Sequence, residues 1–523
     1  MNQEPPVSNP ILESVTLNFT DLTGAKTGCT TLGSNKFWKG WVEQVGSTYS
    51  FECRWGSTGT PGSDKGSVRS TSQAAALDQL RKKVREKEAK GYTRLQVRDD
   101  AEEATKQAAK GIVTTPVGTT VQTVPTGRTF HPQVSRLLGT IYGSTASTVR
   151  AGLSAQAGAT AENPIGNLSD RQLDLGGAIL DEIESELKGA FGREDSNNKD
   201  KTLPFGRDGM PSVRIIDLTN QFMSNVPREI AREDRGRANL HKLVVSSYER
   251  LEGQRKFLQL LRDAHLSKAV FAAAAHQTST GGKEAVWYDG LGCNIDILDP
   301  SSPDFCRVLE VFNTNQSQRN ANWFRGGRST LKVVNVFKFV RNGTEAAFER
   351  YATEVIRKPG AVGRIMAWHG TRTENLLGIS KSGLLLPENL SRGVHISGKA
   401  FGKGIYHAPA WNATGHKMVG NMPTDGTNGA LKSMNYTSAT GAYYGSGNSA
   451  NRAFMYLQDV ALGAPECHTS ACWDKHRPDG YPTRADFIFA CGSRNQGGFS
   501  HDELVTFDQN AQKFAYLVEV AVV

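Results

Sequence analysis

The chain has 523 residues, too many for one hydrophobic core, so two to four domains are expected. With 38% hydrophobic and 22% charged residues, and neither a signal-peptide pattern nor an apolar run long enough to span a bilayer, it reads as a soluble protein with no membrane partner. A net charge of +9 favours an anionic partner, nucleic acid first, and seven scattered cysteines without a CxxC pair suit a reducing compartment.

In chain order, residues 1–25 are polar with two early prolines and weak periodicity, and are expected to form a disordered tail. A compact β-rich module is expected over 26–105. At its centre the run Tyr49-Ser50-Phe51-Glu52-Cys53-Arg54-Trp55-Gly56 alternates as a strand and then turns at Ser57–Gly62. A helix follows over Ser72–Lys90, with Ala75, Leu77, Leu80 and Val84 near one face. Its other faces and exit carry Arg81, Lys82, Lys83, Arg85, Lys87, Lys90, Arg94 and Arg98 against Glu86 and Glu88. Such a run is either a solvated helix face or a phosphate-binding surface. Trp38, Trp41 and Trp55 could stack on bases or fill the module's core.

Residues 106–131, rich in Thr, Val, Gly and Pro, read as a linker. Helical periodicity returns over 132–278. Ser169-Asp170-Arg171-Gln172 forms a capping box, opening a helix that carries Leu173, Leu180, Ile183 and Leu187 on one face. Ile215–Phe222 and a stretch from about Leu240 to Leu261 complete an expected bundle.

From 279 to 523 the pattern is β-rich. Strands are expected at Gly292–Leu298, Leu331–Val340, Gly363–Trp368, Gly404–His407, Phe454–Leu462, Glu503–Thr506 and Phe514–Val522, with long Gly-, Asn- and Ser-rich loops between them. His369, Tyr406 and Glu503 stand at the ends of three of these strands, where rigid elements deliver side chains to a pocket. Taken singly, each has a plainer reading: a satisfied histidine, a packed tyrosine, a surface carboxylate. Cys467-His468, Cys472 and His476 match no standard zinc spacing, so no metal is expected.

The pieces WHGTRTEN, GKGIY and HDELVTFD, in that order, resemble the catalytic domain of the poly(ADP-ribose) polymerases, whose signature is a His-Tyr-Glu triad. The YSFECRWG strand, glycine turn and Ala-rich helix resemble the WGR domain of the DNA-dependent members. NPIGNLSDRQ with AILDEIE, and IIDLTNQF followed by VP, resemble their helical regulatory domain. The resemblance implies a multidomain α+β protein: a small β-rich WGR module, an α-helical regulatory bundle and a mixed α+β ADP-ribosyltransferase domain.

It also implies NAD as co-substrate. The backbone at Gly370 and the hydroxyl of Ser433 would hold the nicotinamide amide, with Tyr406 and Tyr436 sandwiching the ring, and Tyr443 or Tyr444 as alternatives to Tyr436. His369 would bind a ribose hydroxyl, while Glu503 polarises the sugar and helps activate an acceptor hydroxyl. Thr371, Asn375 and Lys432 complete the expected NAD-binding set. Trp38, Trp55, Lys82, Lys83 and Arg85 are the expected DNA contacts. Expected partners are DNA strand breaks, acceptor proteins including the chain itself, and an accessory protein completing the acceptor site. The expected address is nuclear.

Four departures stand out. Ser57 occupies the position of the WGR arginine that helps link DNA to the rest of the enzyme. His407 replaces an aromatic ring, and Leu385 an adenosine-side arginine. About two dozen residues precede KSMNY and read as an insertion in the loop covering the NAD site. If that loop excluded a polymer end, the chain would be a mono-ADP-ribosyltransferase; a non-enzymatic DNA-end binding protein is the other rival.

Overall fold

The computed structural model describes residues 10–22, 34–58, 62–64, 67–96, 128–155, 168–192, 212–227, 243–275, 282–315, 330–387, 400–411, 415–424, 429–445, 450–471, 485–492 and 501–523, with a few single positions between them. It divides into two compact units: residues 1–120, 148–265 and 391–395, and residues 121–147, 266–390 and 396–523. Cys29, Cys472, His476 and most of the expected linker lie outside the described residues.

The first unit opens with a six-stranded sheet of β1 (Ile11–Asp21), β2 (Ser34–Val45), β3 (Thr48–Ser57), β4 (Ser63–Asp64), β5 (Val68–Ser70) and β6 (Thr93–Leu95). Residues 11–21 were expected in a tail; they are instead an inner strand, paired with β2 over ten positions and with β6 over three. Val15, Leu17 and Phe19 alternate with Thr16, Asn18 and Thr20, and that period of two outweighs the prolines before them. Helix α1 (Gln73–Glu88) is N-capped by Ser72 and buries Ala76, Leu80 and Val84 against Leu17, Trp38, Val42 and Phe51. Ala75, expected on that face, is exposed.

Helices α2 (Pro132–Ala155), α3 (Asp170–Phe191), α4 (Val213–Asn225) and α5 (Tyr248–Ala275) follow. Within the first unit, α3, α4 and α5 share a core with Leu22 and Leu95 of the small module. Arg255 of α5 pairs with Asp181 and Glu184 of α3. Ser169 caps α3 as expected, but Gln172 does not complete the box. Its Oε1 accepts from the Gln96 N–H at 3.1 Å and its Nε2 donates to Asn225, so it joins the module to the helices. The same seam runs along β1: Asn18 Nδ2 donates to the Met223 carbonyl, the Thr20 N–H to Ser224 Oγ, and the Leu22 N–H to Asn220 Oδ1.

The second unit is built on a nine-stranded sheet. Its elements are α6 (Gly282–Leu291), β7 (Cys293–Ile297), α7 (Pro303–Thr314), β8 (Leu331–Arg341), α8 (Glu345–Ile356), β9 (Gly363–Thr371), α9 (Leu376–Ser382), β10 (Ile405–Pro409), the ribbon β11 (Met418–Val419) and β12 (Met422–Pro423), α10 (Gly429–Met434), α11 (Thr440–Tyr443), β13 (Arg452–Leu462), β14 (Pro465–His468), β15 (Phe487–Ala490), β16 (Glu503–Thr506) and β17 (Gln512–Val522). The sheet order is β14-β15-β16-β10-β9-β13-β17-β8-β7, antiparallel except for β14–β15. All seven expected strands are present. Trp368, Met366 and Ala408 face a core closed by α7 and α10, whereas Ile365, Ala367 and Leu504 face the opposite one.

The start of α2 packs within this second unit. Val134, Leu137, Leu138, Ile141 and Tyr142 pack with Leu291, Phe337, Phe339 and Tyr456. Tyr142 stacks on Trp287 and donates to its carbonyl at 2.9 Å. Glu519 of β17, only 1% exposed, accepts from Arg136 of α2, Arg452 and Asn335. Three donors around one buried carboxylate offset its desolvation.

Candidate active site

The three triad residues meet at one corner of the large sheet. Strands β9, β10 and β16 are adjacent, and Trp368, Ala408 and Glu503 form a row across them: Ala408 pairs with Trp368, and Glu503 stands beside Ala408 by extension of the Leu504–His407 register. His369 is one residue past that row and Tyr406 two residues before Ala408. The β9–β10 ladder stops at this row, and the His369 ring takes the carbonyl the ladder would have used: Nδ1 lies 3.2 Å from Tyr406 O. A carbonyl only accepts, so Nδ1 carries the proton and Nε2 is the acceptor of a neutral ring. Burial lowers the His369 pKa, partly opposed by the Tyr406 carbonyl.

The Tyr406 hydroxyl donates to Gly402 O at 3.0 Å and accepts from the Phe401 N–H at 2.9 Å, so its phenol is locked by its own glycine loop. Glu503 forms an ion pair with Lys432 on α10. Burial holds the Lys432 pKa below the usual lysine range, while Glu503 and then Asp502 oppose the shift. The Tyr436 phenol is pushed up by burial and then by Glu503; its side chain stays 49% exposed, leaving much of the ring open to solvent.

Helix α10 is seated on β9 through Gly370. A Cβ there would lie 1.8 Å from Ser433 O, so only glycine permits this approach. The first N–H groups of α10, from Ala430 and Leu431, donate to Asn315 O at the end of α7. Asn375 Nδ2 donates to Thr371 Oγ1, and the Thr373 N–H to Ser438 Oγ at 2.8 Å, tying the exit of β9 to the loop after α10. Neither Asn315 nor Ser438 carries a signal readable from sequence. Ser433 thus meets Gly370 through a helix contact, and Lys432 meets Glu503, despite the intervening insertion.

Several described residues of that insertion pack away from His369. His416 Nε2–H donates to Val362 O at 3.2 Å, immediately before β9 begins, roughly 20 Å along the strand from His369. Val419 is buried, and Trp411 is part of the core under Ile365 and Leu504. A cavity of about 430 Å³ opens elsewhere, lined by Arg341, Gly383, Leu384, Phe507, Asp508 and Phe514 among others. Cys467 and His468 bind to Val419 O and Glu466, and no metal-binding group of three or more His, Cys, Asp or Glu occurs among the described residues.

His407 is buried between these strands. Thr506 Oγ1 donates to Gln512 Oε1, so it accepts from His407 Nε2–H at 3.1 Å, and His407 Nδ1 has no partner. Burial, and next His369, push the His407 pKa down to about 3. The folded ring therefore stays neutral where an unfolded one protonates. Its contribution to stability is full above about pH 6.5 and is lost as pH falls toward 3, by up to about 1.4 kcal/mol per unit. His407→Phe should remove that part of the slope; equal slopes in urea titrations between pH 7 and 4 would contradict it.

Among the expected DNA contacts, Trp38 is corrected: 2% exposed, it fills the module's core and presents no face for stacking. Trp55 is half-buried, while Lys82, Lys83 and Arg85 are exposed on α1.

The sequence matches three family profiles: the poly(ADP-ribose) polymerase catalytic domain over residues 304–414, the WGR domain over 13–99, and the poly(ADP-ribose) polymerase regulatory domain over 129–285. Three regions of the chain are thus similar to domains of the poly(ADP-ribose) polymerases. Relatives include poly(ADP-ribose) polymerase 1 of Gallus gallus, 24% identical over 251 residues (47% of this chain, 20% of the relative). That of Arabidopsis thaliana is 23% identical over 252 residues (47% and 21%), and polymerase 2-B of Oryza sativa subsp. japonica 22% over 302 (57% and 38%). The matched region thus spans about a fifth of the first two relatives. No helix among the described residues is long and apolar enough to cross a membrane.

Proposed function

We propose that the chain is a DNA-break-responsive transferase that moves ADP-ribose from NAD to protein side chains and then to the growing chain, releasing nicotinamide. The corner formed by His369, Tyr406 and Glu503, with Gly370 against Ser433, carries this reading. The residues suit a nicotinamide riboside. Tyr406 and Tyr436 offer rings, neutral His369 offers Nε2 to a ribose hydroxyl, and Glu503, held by Lys432, offers a carboxylate where positive charge develops on the sugar. Positioning and electrostatics would carry the rate.

Elongation is favoured over single-unit transfer because Glu503 is present and because His416 of the insertion packs at the far end of β9. Acceptor proteins would include the chain itself. An accessory protein could complete the acceptor site, and a nuclear address fits the DNA partner.

DNA would be bound through phosphates by the exposed face of α1. Coupling would pass through the β1 seam, where Asn18, Thr20 and Gln96 reach α3 and α4, rather than through Ser57. Thr58 supports that route, since its hydroxyl donates to Asn18 Oδ1. Nicked DNA at fixed low salt should therefore stimulate nicotinamide release. Joint Lys82→Ala, Lys83→Ala and Arg85→Ala should lower the slope of log affinity against log salt by about 2–3 and abolish most stimulation. Activity without DNA would separate catalysis from its control, and no release in either condition would favour a binding protein.

A further inference from the structure

We infer that Asp502 is a positioning residue for Glu503, and that Trp411, on the arm following Tyr406, acts on the reaction through it. The inference rests on the transferase reading for its kinetic consequence, not for its geometry.

Glu503 is the first residue of β16. Its β15 neighbour is Ala490, whereas the ladder to β10 begins only at Leu504–His407. One side of the strand start is therefore open, and a catalytic carboxylate there needs another anchor. Asp502 supplies it. Its Oδ1 accepts from the Gly492 N–H at 2.8 Å and its Oδ2 from Trp411 Nε1–H at 2.9 Å. All of this lies inside the protein, with Asp502 4% and Trp411 1% exposed. Hydrogen bonds to a buried ionised carboxylate are among the stronger kinds.

Gly492 lets the chains close. A Cβ there would lie 2.4 Å from the His501 carbonyl carbon and 2.7 Å from the Asp502 nitrogen. Trp411 is fixed in turn by edge-on contact with Phe489 of β15 and by the core beneath Ile365 and Leu504. Asp502 also acts on Lys432, the partner of Glu503, by raising its pKa through charge. One side chain thus sets both where Glu503 stands and the field on its counter-ion.

Two variants test this. Trp411→Phe keeps a ring but removes one donor, and Asp502→Asn keeps the shape but loses the charge. Both should lower kcat and shorten the product, by on the order of 10- to 100-fold for Asp502→Asn and less for Trp411→Phe, with KM for NAD nearly unchanged. A merely structural role would lower melting temperature and yield but leave kcat per folded molecule intact.

Hydrogen exchange reads the clamp without turnover. Both variants should speed exchange at Gly492 and Leu504 and leave β13 and β17 unchanged, whereas Glu503→Gln should leave Gly492 unaffected. Unchanged exchange, or wild-type kcat and product length in both variants, would overturn the inference. Faster exchange at these positions in a protein whose parent releases no nicotinamide would uphold the clamp while removing the transferase reading.

Discussion

Glu503→Gln should shorten the polymer far more than it slows nicotinamide release. Glutamine keeps the shape of the side chain and removes its charge. Two things fail together. The carboxylate no longer faces the positive character that develops on the sugar, nor can it help activate an acceptor hydroxyl; losing one such stabiliser costs on the order of 100- to 1,000-fold. Lys432 also loses its ion-pair partner, and since burial already lowers its pKa, the lysine moves further toward the neutral form. Removing one member of a buried pair destabilises as well, so melting should be recorded beside activity. Product length on a gel, read against nicotinamide release from the same reaction, decides the matter. Full-length polymer from the variant would refute the role given to Glu503.

Gly370→Ala should be nearly as damaging, for a steric reason. The added methyl would sit 1.8 Å from Ser433 O and 2.6 Å from its carbon, backbone atoms that cannot rotate away. Helix α10 must shift, taking Lys432 and Ser433 with it. Overpacking of this kind costs about 1–3 kcal/mol, and misplacement of the binding residues should cost about 100-fold in turnover. Gly143→Ala is the matched control: nothing lies within 4 Å of a Cβ there, so activity should be unchanged. A Gly370→Ala protein with wild-type melting and turnover would contradict the seating of α10 on β9.

Seven strands of the large sheet, and the strand ends that bring His369, Tyr406 and Glu503 to one corner, were legible in sequence because each rests on local pattern. Partial alternation marks β8 and β17, a long apolar run marks β13, and short motifs mark the ends of β9, β10 and β16. What escaped depends on partners distant in sequence. β1 was hidden by flanking prolines, although Val15, Leu17 and Phe19 alternate plainly. β15, the run Phe487–Ala490, is buried throughout and has no period to detect. Gln172 matched a capping pattern yet spends its amide on Gln96 and Asn225, a choice set by a chain 76 residues away. Trp38 could have served a surface or a core, and only packing decides. Asp502 was passed over beside Glu503 because nothing local shows Trp411 arriving from 91 positions earlier.

The position of α2 bears on where this chain can be cut. Sequence order invites a boundary near Gly282, between a regulatory half and a transferase half. Physically the seam lies upstream, because Leu137, Leu138, Ile141 and Tyr142 close the sheet over Phe337, Phe339 and Tyr456, and Arg136 neutralises Glu519. A fragment starting at Gly282 would bare that apolar face and strip a buried anion of one of its two cations. A self-sufficient transferase piece needs the 128–147 segment as well, supplied in line or as a separate peptide.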